Sequence, residues 1–229
     1  RDLVRSRGLG DVYKRQALAS TYAPPADMAE KAAGWVKNAK RAGMRSIVLT
    51  TKHHDGFCLW DSKYTEYDIA NPTIENKVDI VKAVSDACHK EGVAFSVYYS
   101  LWDRHEPSYQ KSDKRFYIQY MKNQLQELMT QYGTVHELWF DGAWDRKTED
   151  WHLQEVYDFV KSMQPDCQIS TNWTIGKRPV DMQEGILLFI FRLISVYGIL
   201  FCLLRMTLKY INTAERNIIC LLKVPRLFL

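Results

Sequence analysis

The sequence predicts an α/β fold, organised as a partial (β/α)8 barrel of about four β/α units and followed by an apolar tail that does not fit it. Amphipathic stretches end repeatedly at a glycine or proline, and each is followed by a short run that is apolar on both faces. Helices of about ten or more residues between such runs imply parallel strands covered by helices. Polar and aromatic residues follow every run, at the edge of the sheet where barrels assemble their pockets.

The first unit pairs a helix over residues 28–41 with a strand over residues 46–51. Apolar residues recur along the helix at i, i+3, i+4 and i+7 from Ala32, which predicts one buried face. Gly43 ends the helix, and the strand that follows is apolar and β-branched. The same order then repeats along the chain. The later units are helix 78–91 with strand 93–100, helix 114–132 with strand 135–140, and helix 148–163 with strand 167–171.

Composition and charge exclude several classes of protein. Hydrophobic residues make up 46% of the chain and charged residues 25%, as in an ordinary globular protein rather than a disordered one. The formal net charge is only +4, and no basic run is long enough to mark a nucleic-acid interface. The cysteines are odd in number and lack a C-x-x-C pair, so they predict packing positions rather than disulfides or a metal site.

The two ends of the chain differ from its middle. Residues 1–16 are basic, have no sustained apolar period and lack the apolar core of a secretory signal, so we expect them to be an artefact outside the fold. Residues 186–229 are strongly apolar and begin abruptly, as a shifted reading frame would. A membrane segment over 186–204 is the alternative, although Arg192 near its centre would cost about 2.5 to 3.5 kcal/mol. Residues 17–185 therefore form the predicted barrel segment.

The residues after the predicted strands suit a sugar pocket. They contain no glycine-rich phosphate loop, so a nucleotide cofactor is not predicted. They do contain His, Asp and Asn side chains, which bond to sugar hydroxyls, and tryptophans, whose ring faces stack on the C–H faces of sugars. These tryptophans are Trp60, Trp102, Trp139, Trp144 and Trp173. The sequence therefore favours a carbohydrate site over the alternative, which is that these are ordinary polar loops.

Three motifs follow one another along this segment. They are K-H-H-D-G-F at 52–57, V-Y-Y-S at 97–100 and E-L-W-F-D-G at 137–142. Together they resemble the catalytic, TIM-type barrel of α-L-fucosidases of glycoside hydrolase family 29, over about residues 17–185. The resemblance implies a retaining hydrolase that removes terminal α-L-fucose from a fucosylated oligosaccharide or glycoconjugate, without a metal or cofactor. A periplasmic or secreted location is expected for the full-length parent.

The resemblance also implies roles for individual residues. Asp141 of W-F-D-G would be the catalytic nucleophile, with Gly142 allowing the backbone to turn; a helix N-cap is the alternative role for Asp141. His53 and His54 would contact fucose hydroxyls. Because consecutive strand residues point to opposite faces, we expect only one of the two imidazoles to meet the sugar squarely, and we do not expect them to share a metal ion.

Aromatic residues complete the predicted pocket. Only one of the adjacent strand residues Tyr98 and Tyr99 can face the barrel axis. The resemblance favours Tyr98 as the residue that faces the sugar, because members of the family vary the second position. Trp60 and Trp102 are candidates for stacking on the sugar. For each tryptophan, packing in the core is the alternative.

One catalytic residue and half of a barrel are not found in the sequence. A retaining hydrolase needs a second carboxyl group about 5 to 5.5 Å from the nucleophile, as acid and then base. None of the available carboxylates has the right place in the motif order; these are Glu106, Glu137, Asp145 and Glu149. A full barrel needs eight strands in about 250 residues. We therefore leave the acid/base unassigned and expect the chain to be inactive as it stands.

Other functions remain open. A carbohydrate-binding barrel fragment would keep the pocket without turnover. Another barrel enzyme, such as an aldolase or isomerase, would need a metal cluster or a Schiff-base lysine at a strand end, where Lys52 is the lysine present. A membrane is an expected partner only if residues 186–204 are a genuine span.

Overall fold

The computed structural model describes residues 19–20, 22–142, 151–172, 182–184 and 219–222. They form a parallel β-sheet and the helices that pack on it. The helices are α1 (Met28–Arg41), α2 (Ile80–Glu91), α3 (Arg115–Gln131) and α4 (Leu153–Met163). The strands are β1 (Ser46–Lys52), β2 (Ala94–Ser100), β3 (Glu137–Asp141), β4 (Gln168–Asn172), β5 (Met182–Glu184) and β6 (Ile219–Leu222). A short 3-10 helix, Pro107–Gln110, precedes α3.

The sheet is parallel throughout, with the strand order β5-β4-β3-β2-β1-β6. Its four central strands follow the order of the chain and alternate with the helices, so the predicted α/β fold with parallel strands is confirmed. The short strands β5 and β6 are additional to the predicted ones. β6 belongs to the apolar tail and lies beside β1, with Ser46 opposite Ile219.

The ends of the predicted elements shift by a few residues. Helix α1 has the predicted bounds, whereas β1 continues to Lys52. β3 begins at Glu137 rather than at Val135, because the Val135 N–H bonds to the side chain of Gln164 and not to a neighbouring strand. β3 also includes Asp141 at its end. The backbone of Asp141 is therefore part of the sheet and not of the loop that follows.

Helix α2 shows how the local sequence sets such boundaries. The Asp79 side chain accepts a hydrogen bond from the Lys82 N–H at 2.8 Å, which caps the N-terminus of the helix. Gly92 ends the helix with a φ of 66°, a left-handed conformation in which glycine has no steric penalty. The buried residues between them are Ile80, Val81, Val84, Ser85, Ala87 and Cys88. This buried stripe fixes which face of the helix turns inward.

The two faces of the sheet differ in polarity. Residues that point toward the helices join the hydrophobic core; in the central strands they are Ile47, Leu49, Phe95, Val97, Tyr99, Leu138, Phe140 and Ile169. The residues that alternate with them form the opposite face, whose polar members include Ser96, Tyr98, Ser100, Glu137, Asp141 and Ser170. The expectation that strands are apolar on both faces is therefore wrong for β2 to β4. The candidate site lies on the polar face.

The cysteines of the described core serve as packing residues. Cys58, Cys88 and Cys167 are buried and form no disulfide. Within the described ranges, no helix is long and apolar enough to cross a membrane. Residues 1–16, and residues 186–204 with the alternative membrane segment, lie outside the described residues.

Candidate active site

The candidate site begins where β1 ends. The pairing of β1 with β2 shifts register between Thr50 and Lys52, and the strand stops at Lys52. His53 and His54 come directly after it, where the alternation of a strand no longer separates their side chains. Their ring centroids are 3.9 Å apart, so the expectation that the imidazoles point to opposite faces is wrong. Even so, the described part of the chain has no group of three or more His, Cys, Asp or Glu side chains arranged to hold a metal ion.

The carboxylate of Asp141 lies at the centre of the site. The Tyr98 hydroxyl donates a hydrogen bond to Oδ2 of Asp141 at 2.6 Å, and the Gly142 N–H donates to Oδ1 at 2.8 Å. Nε2 of His54 is 3.9 Å from the same Oδ2. The side chains of His54 and Asp141 are 15% and 16% exposed, so solvent reaches both. Side chains from the ends of three neighbouring strands thus converge, as the motif order predicts.

Strand β2 brings one of its two adjacent tyrosines into the site. Tyr98 points to the polar face, whereas Tyr99 points to the helices, where its hydroxyl donates to Gln124 and accepts from Lys52. Burial, together with the negative charge and hydrogen bond of Asp141, raises the pKa of Tyr98 above its usual value. Tyr98 therefore remains protonated at neutral pH and acts as a donor to the carboxylate.

Gly142 makes the turn that follows the carboxylate. Its φ is +94°, a conformation that side chains disfavour. A Cβ at this position would lie 2.8 Å from the Trp102 nitrogen and 3.2 Å from Oγ of Ser100. The Leu101 N–H also bonds to the carbonyl oxygen of Asp141 at 2.6 Å. The end of β3 is therefore closely packed against the end of β2, and glycine is the residue that fits there.

The alternative role of Asp141 as a helix N-cap is not seen in the described residues. The next described helix is α4, which begins at Leu153 after His152, and His152 makes no side-chain cap hydrogen bond. The oxygens of Asp141 accept from Tyr98 and Gly142 instead. These contacts direct the carboxylate into the cluster with His54.

The two tryptophans considered for stacking occupy different environments. The Trp102 ring is half-buried and lies 5.3 Å from the His54 ring, with the Arg104 guanidinium 4.2 Å from its centre. Trp60 is fully buried, and its indole N–H donates to Oε2 of Glu127 on α3 at 2.9 Å. A ring with no exposed face cannot stack on a sugar. The structure therefore supports the packing alternative for Trp60, and it leaves Trp102 at the edge of the site.

Trp139 also lies in the site, although the motif resemblance assigns it no role. Its ring packs edge-on against Tyr98 at 5.6 Å, and its buried indole N–H has no hydrogen-bond partner among the described residues. The signal for this position is strand alternation, because Trp139 stands two residues before Asp141 and shares its face. A buried donor without a partner costs about 1 to 3 kcal/mol, which a ligand oxygen would offset. Trp144 and Trp173 lie outside the described residues.

The two candidate acid/base carboxylates that the structure describes, Glu106 and Glu137, are engaged in other contacts. Glu106 caps the short 3-10 helix by accepting from the Ser108 N–H at 3.0 Å. Glu137 begins β3 and accepts from the Ser170 hydroxyl. Asp141 lies four positions further along the strand, a rise of about 13 Å. That distance is more than twice the separation of about 5 to 5.5 Å that a retaining pair needs. The other candidates, Asp145 and Glu149, lie outside the described residues.

The environment of Lys52 is unsuited to Schiff-base chemistry. Lys52 is fully buried, and its ammonium donates to Oδ2 of Asp103 and to the Tyr99 hydroxyl, both at 2.8 Å. Burial, the largest single effect, would lower its pKa, but the Asp103 carboxylate together with the neighbouring tyrosine and cysteine side chains outweighs burial and raises the pKa well above its usual value. A Schiff-base lysine must lose its proton and reach the substrate. These contacts therefore argue against the aldolase alternative.

Comparison with known proteins identifies the family to which these motifs belong. The family model for alpha-L-fucosidase matches residues 16–185. Alpha-L-fucosidase 1 of Arabidopsis thaliana is 36% identical over 141 residues, which are 60% of this chain and 28% of that protein. The chain therefore spans less than a third of the length of this curated relative.

Solved structures agree with the family match. A glycoside hydrolase 29 family member from an unknown rumen bacterium matches with a TM-score of 0.59 and 39% identity, over 66% of this chain and 29% of that one. A Bacteroides thetaiotaomicron α-L-fucosidase, trapped as a covalent intermediate with 2-fluoro-fucosyl fluoride, matches with a TM-score of 0.56 and 36% identity, over 61% of this chain and 34% of that one. The motifs, the convergence of their side chains and the family match agree, and the chain belongs to the alpha-L-fucosidase family, glycoside hydrolase family 29.

Proposed function

We propose that this chain carries the nucleophile side of a retaining α-L-fucosidase site, which removes terminal α-L-fucose from fucosylated oligosaccharides or glycoconjugates. One observation carries the proposal. The carboxylate of Asp141 ends β3 in contact with Tyr98 and close to His54, inside the segment that matches the family. A carboxylate that is oriented by hydrogen bonds and open to solvent is suited to attack an anomeric carbon.

The reaction would proceed by two displacements. In the first, an oxygen of Asp141 bonds to the anomeric carbon while the bond from that carbon to the leaving-group oxygen breaks. The departing alcohol takes a proton from a second carboxyl group. In the second displacement, water loses a proton to that group and cleaves the ester, which restores the Asp141 carboxylate. Tyr98 would orient the nucleophile throughout, because its raised pKa keeps the hydroxyl protonated.

The residues around the nucleophile would bind the sugar. We propose that His53 and His54 contact fucose hydroxyls and that Trp102 stacks on a C–H face. Tyr98 would border the sugar as well as the carboxylate. Trp60 is left out of this set because it is fully buried. The two displacements require no metal and no cofactor.

We also infer that strands β1 to β5, which lie within residues 17–185, belong to a partial (β/α)8 barrel. The support comes from the parallel order of β1 to β4, from the helices between them, and from a site at the carboxyl ends of the strands. Residues 1–16 and most of 186–229 lie outside the described residues. Their interpretation as an artefact and a shifted reading frame stays a prediction.

Covalent labelling would test the nucleophile in this chain. 2-Fluoro-fucosyl fluoride carries a fluoride leaving group, which departs without a proton, so labelling does not depend on the unassigned acid/base. We expect the chain to gain one fluorofucosyl group, mapped by peptide mass spectrometry to Asp141. The Asp141→Asn variant should lose labelling by several orders of magnitude, since the amide removes the nucleophilic oxygen.

The exposed carboxylate Asp86 offers a matched control, because its one ion-pair partner among the described residues is Lys82 on the surface of α2. Asp86→Asn should be labelled like the unchanged chain. A label on another residue, or an undiminished label on Asp141→Asn, would show that Asp141 is not the nucleophile.

A fucose-binding fragment without turnover is the second candidate function. The observation that favours it is that the two described acid/base candidates are engaged elsewhere, Glu106 with the Ser108 N–H and Glu137 with the Ser170 hydroxyl. Calorimetric binding of fucose by a chain that neither hydrolyses an aryl fucoside nor takes the fluorofucosyl label would support this alternative.

A further inference from the structure

The Ser100 hydroxyl joins two parts of the candidate site. Ser100 ends β2, is fully buried and lies opposite Asp141 in the strand register. Its Oγ is 2.6 Å from Nδ1 of His54, and it donates a hydrogen bond to the carbonyl oxygen of Trp102 at 2.7 Å. The neighbouring Gly142 has no side chain that could crowd this hydroxyl.

These two contacts determine where the proton of the imidazole lies. A serine hydroxyl has a single proton, and a carbonyl oxygen only accepts. The Ser100 proton is therefore directed to the carbonyl of Trp102, so Oγ must accept from Nδ1 of His54. A neutral imidazole has one N–H. His54 is thus held as the tautomer with the proton on Nδ1, and its Nε2 carries a lone pair.

The charge of Asp141 favours the other tautomer. Nε2 of His54 is 3.9 Å from Oδ2 of Asp141, and a negative charge at this distance attracts a proton to Nε2. The hydrogen bond to Ser100 opposes that attraction. The tautomer therefore depends on the serine and is not a property of the histidine alone.

We propose that Ser100 is a positioning residue that fixes the Nδ1–H tautomer of His54 and so presents an accepting Nε2 beside Asp141. In this form His54 accepts a hydrogen bond from a sugar hydroxyl, whereas the other tautomer would direct an N–H toward the nucleophile, whose Oδ2 is 3.9 Å away. The consequence for the sugar rests on the proposed fucosidase function. The tautomer does not, because it follows from contacts within the sugar-free chain.

Ser96 provides a matched control on the same strand. It lies on the same face of β2, is also fully buried, and its hydroxyl has no hydrogen-bond partner among the described residues. Like Ser100→Ala, Ser96→Ala removes one buried hydroxyl group, but it leaves the hydrogen bond between Ser100 and His54 intact. Ser100→Thr keeps the hydroxyl and serves as the conservative variant.

The test is a histidine-selective nitrogen NMR measurement on the full chain of 229 residues. Spectra are recorded without sugar, about two units above the ordinary histidine pKa of about 6.5, with the His54 signals identified from a His54→Gln spectrum. In the unchanged chain, Nδ1 should show the shift of a protonated nitrogen and Nε2 that of an unprotonated one. Ser96→Ala and Ser100→Thr should keep this pattern, and Ser100→Ala should move the proton to Nε2.

An unchanged chain with the proton on Nε2 of His54 would overturn the proposal, whether or not any variant folds. So would a folded Ser100→Ala chain that retains the original pattern. A second arm measures fucose binding by calorimetry, where Ser100→Ala should bind about tenfold more weakly, as expected for one lost hydrogen bond. If Asp141 takes no fluorofucosyl label while the tautomer shifts as expected, the proposed function fails and the role of Ser100 stands.

Discussion

The hydrogen bonds of one carboxylate define the site at the scale of single residues. Tyr98 and Gly142 hold the two oxygens of Asp141 from different sides, and His54 lies near the oxygen that Tyr98 contacts. A carboxylate held by donors on both oxygens keeps one orientation. This arrangement depends on the Tyr98 hydroxyl more than on its ring. Substitution with phenylalanine removes the hydroxyl and keeps the ring, so the contributions of the two can be measured separately.

Replacing Tyr98 with phenylalanine should lower the free energy of unfolding by about 1 to 2 kcal/mol at neutral pH, because a hydrogen bond to a charged and partly exposed carboxylate is lost. The ring would still pack on Trp139. Urea unfolding at several pH values would measure the change. Tyr64→Phe is the control, since Tyr64 is 43% exposed and should tolerate the substitution.

The contribution of Tyr98 to the unfolding free energy should decrease at high pH. Tyr98 has a pKa above its usual value in the folded chain, so folded protein keeps its proton when unfolded chain loses it. The contribution of the Tyr98 hydroxyl to the free energy of unfolding is therefore fully present below about pH 10 and declines above it. The decline should be smaller in Tyr98→Phe than in the unchanged chain. An equal decline in both would contradict the role assigned to the hydroxyl.

At the scale of elements, a buried ion pair joins the segments that follow β1 and β2. Lys52 and Asp103 are both fully buried, with Nζ 2.8 Å from Oδ2. The other oxygen of Asp103 accepts from the His105 and Glu106 N–H groups, both at 2.9 Å. Gly56 approaches so closely that an added Cβ would overlap this carboxylate. The two segments that carry the histidines and Trp102 are thus held together.

Removing one partner of this ion pair should destabilise the folded chain. Lys52→Met should lower the free energy of unfolding by about 3 to 5 kcal/mol, because it leaves the Asp103 charge buried without its counterion. The double variant Lys52→Met with Asp103→Asn should recover part of the loss, since the amide still accepts from the backbone. Denaturant unfolding with the exposed Lys82→Met as control would test this, with a change of about 0.5 kcal/mol or less expected for the control.

Acid should weaken the same pair. Burial alone would raise the pKa of Asp103, but Lys52 and the backbone donors outweigh it, and the pKa lies below its usual value. The contribution of the Lys52–Asp103 pair to the free energy of unfolding is therefore present above about pH 4 and is lost as the pH falls further. A Lys52→Met chain as stable as the unchanged chain would show that the pair does not hold the two segments.

At the scale of the whole molecule, the described sheet is open at both sides. β5 and β6 each pair with a single described strand, and such edges present unpaired backbone groups to other chains. We expect residues 1–229 to self-associate at micromolar concentration, as measured by analytical ultracentrifugation. A segment of residues 17–185 should associate as well, because it lacks β6 and opens the edge of β1.

A monomeric chain of 229 residues that melts cooperatively and hydrolyses an aryl fucoside would contradict this prediction. It would also require an acid/base among the carboxylates, with Glu106 the first to test because it lies on the segment that follows β2.

The helices and strands could be predicted from the sequence because their signals are local. The apolar spacing of α1 and the glycine after α2 act within one turn of chain, so their positions follow from neighbouring residues alone. Motif order also predicted that Asp141, Tyr98 and His54 would meet, since the carboxyl ends of parallel strands share one edge. The acid/base could not be predicted, because its position depends on how distant segments meet.

The sequence by itself determined the alternation of helices and strands, the family and the set of polar residues at the strand ends. Only the tertiary structure decided which way those residues point. His53 and His54 come after β1 has ended at Lys52 and lie side by side. Trp60 is fully buried, with its indole N–H bonded to Glu127 on α3. The reason is physical: periodicity assigns a face only while a strand lasts, and beyond its last residue the contacts made with other elements set the direction of each side chain.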